Sequence, residues 1–161
     1  MKVSEIMSRN VQTTTPEATL KESLDLLVKE RLNGLVVMAA GKVAGVVTKA
    51  DIFRAVLPSQ TDICEDELLM QDPEYVEERI FKFLGSKVER IMGTPVITVT
   101  GNLPIIKAGS IMVLRRIKQI PVVDDGALVG IVTLSDILAA FRKKTEGFGT
   151  VWGRGKKDVA R

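Results

Sequence analysis

The sequence contains no histidine and a single cysteine, Cys64. Without histidine there are no Ser–His or Cys–His nucleophile pairs and none of the usual zinc sites. One cysteine excludes an intramolecular disulfide and any Cys-x-x-Cys site. An enzyme built on this chain would work with carboxylates, lysines and hydroxyls alone, and no acid, base and nucleophile group together from them without arbitrary choices. Aromatic residues make up 4% of the 161 residues against 45% hydrophobic in all, which indicates a globular aliphatic core. No apolar run approaches the roughly 18 residues that span a bilayer. The start, Met1-Lys2-Val3-Ser4-Glu5-Ile6, lacks the apolar core of a signal peptide. A cytoplasmic protein without membrane attachment is expected. The net charge of +3 is too small to argue for nucleic acid by itself.

What the chain does contain is written twice. Gly45-Val46-Val47-Thr48-Lys49-Ala50-Asp51 returns as Gly130-Ile131-Val132-Thr133-Leu134-Ser135-Asp136 at an offset of 85 residues. The same offset runs without a gap from Val3/Val88 to Val56/Phe141, through Ile6/Ile91, Met7/Met92, Val28/Val113, Arg31/Arg116 and Val37/Val122. So many identities in one register mark an internal duplication. Each copy holds about 55 residues, near the size at which a lone core is marginal, so the two are expected to pack on each other. The divisions are 1–57 (first repeat), 58–87 (linker), 88–142 (second repeat) and 143–161 (arm).

Within the first copy, Val11 to Thr15 is a β-branched stretch that predicts a brief strand, stopped by Pro16. Thr19 and Glu22 have capping-box spacing, and Leu20, Leu24, Leu27 and Val28 follow as one helical stripe. Leu35 to Met38 predicts a strand covered on both sides, and a turn at Gly41 leads into a strand over Val43–Thr48. A helix over Ala50–Leu57, closed by Pro58, completes the order β-α-β-β-α. The second copy reads alike with two differences. Pro104 and Gly109 enter its first helix, predicting a start near Asn102 and a weaker element, and Asp124-Asp125-Gly126 marks its hairpin more clearly. The fold class is α+β.

The linker is strongly acidic over Asp62–Glu78, and Tyr75–Leu84 predicts a helix ending at Gly85. It reads as a solvated helix packed beside the repeats or as a surface for a basic partner. The arm carries Arg142, Lys143, Lys144, Arg154, Lys156, Lys157 and Arg161 among glycines, and Gly147, Phe148, Gly149 and Trp152 match no known phosphate loop. Such a basic tail can bind nucleic acid, but it reads better as a poorly packed arm or one that docks on the acidic linker of its own or a neighbouring chain.

Thr48-x-x-Asp51 and Thr133-x-x-Asp136 fall where a strand turns into a helix. That is the spacing of a capping pair. It is equally a place where unpaired helix N–H groups suit phosphate, the Thr hydroxyl adds a donor, and a carboxylate accepts both hydroxyls of a ribose. Gly45 and Gly130 would let backbone approach a flat base. Both readings stand on sequence alone.

With these motifs in view, the chain resembles a tandem pair of cystathionine β-synthase (CBS) domains, a Bateman module, over about 3–57 and 88–142. The most specific parts are Ile120-Pro121-Val122-Val123-Asp124 followed by Gly130–Ile137, and the lead-ins Val3-Ser4-Glu5-Ile6-Met7 and Val88-Glu89-Arg90-Ile91-Met92 also fit. The resemblance implies two repeats about a pseudo-twofold axis, with adenosine-containing ligands such as AMP, ADP, ATP or S-adenosylmethionine bound in clefts between them. It implies that Ile131, Thr133 and Asp136 face Ser4, Arg9, Leu32 and Asn33, and that Val46, Thr48 and Asp51 face Glu89, Thr94, Ile117 and Lys118. Lys118, Arg31 and Arg116 are phosphate partners in that arrangement, and each reads equally as the solvated end of a helix. The first repeat departs from the family, with Leu35-Val36-Val37-Met38-Ala39 in place of an apolar-Pro-Val-Val-Asp run, and Pro104 and Gly109 disturb the second. One working site is expected. The function so implied is a non-catalytic sensor, acting through a homodimer or a protein partner and needing no cofactor beyond the adenosyl ligand. An interaction scaffold with vestigial pockets, or nucleic-acid binding through the basic tail, is the alternative.

Overall fold

The first copy forms all five elements its residue pattern calls for, and the second forms four of them. The computed structural model describes residues 1–57 and 73–146. Cys64, Leu68 and Leu69, the acidic stretch up to Asp72, and the arm from Gly147 to Arg161 with Trp152 lie outside the described residues.

In the first copy, β1 (Thr13–Thr14) runs parallel to β2 (Gly34–Ala39), which pairs antiparallel with β3 (Lys42–Thr48), in the order β1-β2-β3. Helix α1 (Leu20–Lys29) lies between β1 and β2 in sequence, and α2 (Lys49–Val56) follows β3. The linker contributes α3 (Pro73–Leu84). In the second copy α4 (Ile105–Arg115) precedes the hairpin β4 (Gln119–Asp124) and β5 (Ala127–Thr133), and α5 (Leu134–Glu146) closes it. The counterpart of β1 is reduced to one parallel bridge between Val99 and Val122.

Local chemistry accounts for the boundaries. Thr19 caps α1 as its spacing predicts: its hydroxyl accepts the Glu22 N–H at 3.2 Å, and the Glu22 carboxylate accepts the Thr19 N–H at 2.8 Å. Helix α4 does not start near Asn102. Pro104 holds an extended ψ of 136°, so the first helical residue is Ile105 and the cap lacks a side-chain hydrogen bond. Helix α4 has 11 residues against 10 in α1. Gly109 faces α5 with room for a methyl group: a Cβ at that position would lie 3.5 Å from Ile137 Cδ1, in ordinary contact. Each hairpin turns on two residues of positive φ, Ala40 (47°) with Gly41 (75°) and Asp125 (51°) with Gly126 (81°). Two such residues in a two-residue loop match the right-handed twist of the strands they join.

The chain divides into two compact units that do not coincide with the two copies. One gathers 1–9, 98–125 and the segment from 129; the other gathers 10–97 and 126–128. In the first, Val3 is fully buried among Val99, Ile105, Ala108, Met112, Ile120, Val122, Val132 and Ile137. In the other, Val88 is fully buried among Leu20, Leu27, Leu35, Val37, Val47 and Ile52. Each lead-in therefore completes a core made by the body of the other repeat. The backbone repeats the arrangement: Val3 N–H donates to Leu103 O at 2.9 Å and Val88 N–H to Ala18 O at 2.9 Å. Helix α3 belongs to the unit around the first repeat, where Phe83 and Leu84 pack on the core and the Arg79 guanidinium donates to the carbonyls of Val56 (3.1 Å) and Leu57 (3.3 Å). The expected helix ending at Gly85 is thus a packed one.

Candidate functional site

The strand-to-helix junctions at Thr48 and Thr133 have the same local geometry. Asp51 Oδ2 accepts the Thr48 N–H at 3.0 Å and its hydroxyl at 2.6 Å, while Asp51 N–H donates to Thr48 Oγ1 at 3.2 Å. Asp136 Oδ2 accepts the Thr133 N–H and hydroxyl, both at 2.8 Å, and Asp136 N–H donates to Thr133 Oγ1 at 3.2 Å. These are capping boxes. The Lys49 N–H further donates to Asn33 O, and the Leu134 N–H to Lys118 O, each at 3.0 Å. Among the described residues each helix start thus keeps a single first-turn amide without a protein partner, that of Ala50 or Ser135, rather than the row expected for phosphate. The threonine hydroxyls are likewise spent on their own aspartates and are not free donors.

The two carboxylates differ in their second oxygen. Asp51 Oδ1 accepts from Arg54 at 3.0 Å, with Arg54 73% and Asp51 22% exposed. The residue 85 positions on from Arg54 is Ala139. Asp136 Oδ1 therefore has no protein partner among the described residues, and a carboxylate oxygen can accept two hydrogen bonds. Beside it opens a cleft of about 570 Å³ lined by Glu5, Ile6, Asp136, Ala140, Lys143 and Lys144 among others. Residues 136, 140, 143 and 144 share one face of α5 because they are spaced by three to four positions.

The glycines do something other than what their motif suggests. Gly130 is buried beneath Met7, whose sulfur would lie 2.6 Å from an added Cβ, and Gly45 is buried beneath Met92, at 2.7 Å. Neither presents its backbone to a base. The lead-ins hold this contact by hydrogen bonds, reciprocal at 2.9 Å between Ser8 and Ile131, and at 2.8 and 3.4 Å between Gly93 and Val46.

Of the residues singled out by sequence, Ser4, Arg9, Ile117, Lys118, Ile131, Thr133 and Asp136 lie in the unit with the second repeat's body. Leu32, Asn33, Val46, Thr48, Asp51, Glu89 and Thr94 lie in the other. Ser4 is half-buried, its N–H donating to Gly101 O at 2.9 Å, whereas Arg9, Thr94 and Lys118 are exposed. Arg31 and Arg116 are exposed at left-handed positions (φ 54° and 55°) that end α1 and α4. Sequence reasoning missed Glu5, Ile6, Lys143 and Lys144 as neighbours of Asp136. Helical spacing could have supplied the two lysines, but nothing local places a lead-in beside α5.

The CBS domain family model matches residues 3–58 and 88–143, the two copies in full. The chain belongs to the CBS domain family. Among solved CBS structures, a CBS domain pair in complex with 5′-methylthioadenosine and S-adenosyl-L-methionine is 26% identical, with a TM-score of 0.66 over 89% of this chain and 98% of that one. The protein CBSX2, solved in complex with AMP, is 25% identical with a TM-score of 0.67 over 89% and 98% of the two chains. A homoserine O-acetyltransferase of Methanosarcina acetivorans is 33% identical over 143 residues, 88% of this chain. The CBS pair spans only 22% of that enzyme's length. Among the described residues no group of acidic or cysteine side chains is arranged to hold a metal ion, and no helix is long and apolar enough to cross a membrane.

Proposed function

We propose that this CBS pair is a non-catalytic regulatory module that binds an adenosine-containing ligand at Asp136, with Thr133 holding the carboxylate in place. The observation that carries the reading is the open Oδ1 of Asp136 beside a cleft of about 570 Å³. Two ribose hydroxyls can donate to that one oxygen without disturbing the cap on the other. Asp51, whose second oxygen already holds Arg54, is the capping copy. The CBS pairs solved with AMP and with S-adenosylmethionine support the ligand class.

Calorimetric titration with AMP, ATP and S-adenosylmethionine tests this. At least one is expected to bind, and at 100 times its Kd to add about 2.7 kcal/mol of stability. Asp136→Ala and Asp51→Ala are each expected to cost about 1 kcal/mol as lost caps, with binding abolished only in Asp136→Ala. No binding by any of the three, or equal loss in both variants, would sink the assignment. The scaffold reading is then favoured, since both aspartates already satisfy helix starts.

Output through a second copy of the chain is the companion proposal. Val28 and its equivalent Val113 are each more than half exposed, and so are Phe53 and Leu138. The same apolar positions are left open twice, which suits a twofold homodimer. Light scattering behind a sizing column is expected to return twice the chain mass, and a monomer at all concentrations would end this part of the proposal.

A further inference from the structure

We propose that a second copy of the chain docks on the outer face of α4, second repeat against second repeat, with a twofold axis at Ser110. This rests on the homodimer proposed above and names the surface that forms it. Ile106, Ser110 and Leu114 are exposed and spaced by four residues, so they make one ridge about 12 Å long on α4, with Val113 beside it. Ile106, Val113 and Leu114 are each more than half exposed, as is Leu138 on α5, the helix packed against α4. These four make a patch, not the scattered apolar residues of an ordinary surface. Ser110 can be covered at little cost, because its hydroxyl already donates to the Ile106 carbonyl at 2.9 Å. Its small side chain also lets two helices come close where they cross.

The duplication supplies the contrast. The residues 85 positions earlier are Lys21, Asp25 and Lys29, all exposed, and Val28 is the one exposed apolar side chain on α1. A twofold axis at the middle of such a ridge either sets each residue on its own copy or exchanges the two ends, depending on which way the helices run. On α4 both arrangements lay Ile106 and Leu114 on apolar partners and Ser110 on Ser110. On α1 both would lay lysine on lysine and Asp25 on Asp25. Crossing the repeats would press Lys21 and Lys29 onto Ile106 and Leu114, and a charge stripped of water against an apolar partner is costly. Of the two equivalent faces, only that of α4 complements itself.

Light scattering and disulfide trapping on the full-length chain test the contact. Ile106→Lys/Leu114→Lys writes the first repeat's residues onto α4 and is expected to weaken the dimer by about a hundredfold, with the circular dichroism spectrum unchanged because both positions face solvent in the single chain. In a Cys64→Ser background under mild oxidation, Ser110→Cys should close a disulfide between copies, and Asp25→Cys, the equivalent position of the first repeat, should not. A dimer that survives the lysine pair overturns the contact and leaves the homodimer standing. So does a disulfide that forms through Asp25→Cys, or only when Ser110→Cys and Asp25→Cys chains are mixed. If the unsubstituted chain is a monomer at all concentrations, the homodimer falls first and this contact with it.

Discussion

A glycine at each of positions 45 and 130 gives a methionine from a lead-in room to lie flat on a strand. The two contacts differ in one respect that should be measurable. The three atoms nearest an added Cβ at Gly45 all belong to the Met92 side chain, at 2.7–3.2 Å, and the two nearest, its sulfur and Cγ, can swing aside. At Gly130 it also meets the carbonyl oxygen of Ser8, at 3.0 Å, and that oxygen already accepts the Ile131 N–H. Gly130→Ala is therefore expected to cost about 1–3 kcal/mol in urea unfolding, and Gly45→Ala less. Equal losses would mean that the Ser8 backbone yields as easily as a thioether. Residue chemistry also separates the two aspartates. Arg54 opposite Ala139 is visible in the aligned copies, yet its consequence is not, because only coordinates reveal which oxygen the arginine takes.

At the scale of elements, the best-determined helix is α1, whose capping box was readable from Thr19 and Glu22. The Thr19 N–H, and then its hydroxyl, hold the Glu22 carboxyl below its ordinary pKa. A depressed acid stabilises the fold in its charged form. Its contribution is full above the ordinary carboxylate value and is lost as pH falls through the lowered one. In a carbon-detected titration, Thr19→Ala keeps the backbone N–H and removes the hydroxyl, so the Glu22 midpoint is expected to rise part of the way and the onset of α1 fraying to move to higher pH. An unchanged midpoint would show that the Thr19 hydroxyl does not hold the carboxylate in solution. Helix α4 is the element that sequence placed least well. Pro104 fits the first turn of a helix as readily as the position before it, and the extended backbone there is what settled the choice. Gly109, expected to weaken α4, stands where an added Cβ would meet Ile137 in ordinary contact, so packing does not require a glycine there.

At the scale of the whole molecule, each unit borrows its lead-in from the other repeat. Removing residues 1–9 withdraws Val3 from a core in which it is fully buried, along with the backbone hydrogen bonds that Met1, Val3 and Ser4 make to Ile105, Leu103 and Gly101. The unit built on the second repeat is expected to lose at least about 2 kcal/mol, with amide exchange rising in β4, β5 and α5 while α1, β2 and β3 stay protected. Exchange rising first around the first repeat would contradict the crossed assignment.

The duplication was readable from its repeated register, and the β-α-β-β-α order of the first copy, both hairpins and the capping boxes were determined by the sequence, because each depends on periodicity or on residues within four positions of one another. Tertiary structure alone decided the rest. Which core a lead-in enters depends on contacts about a hundred residues apart in the chain, as with Val3 and Leu103. Which aspartate keeps an open oxygen depends on where one arginine points, and no local pattern encodes either.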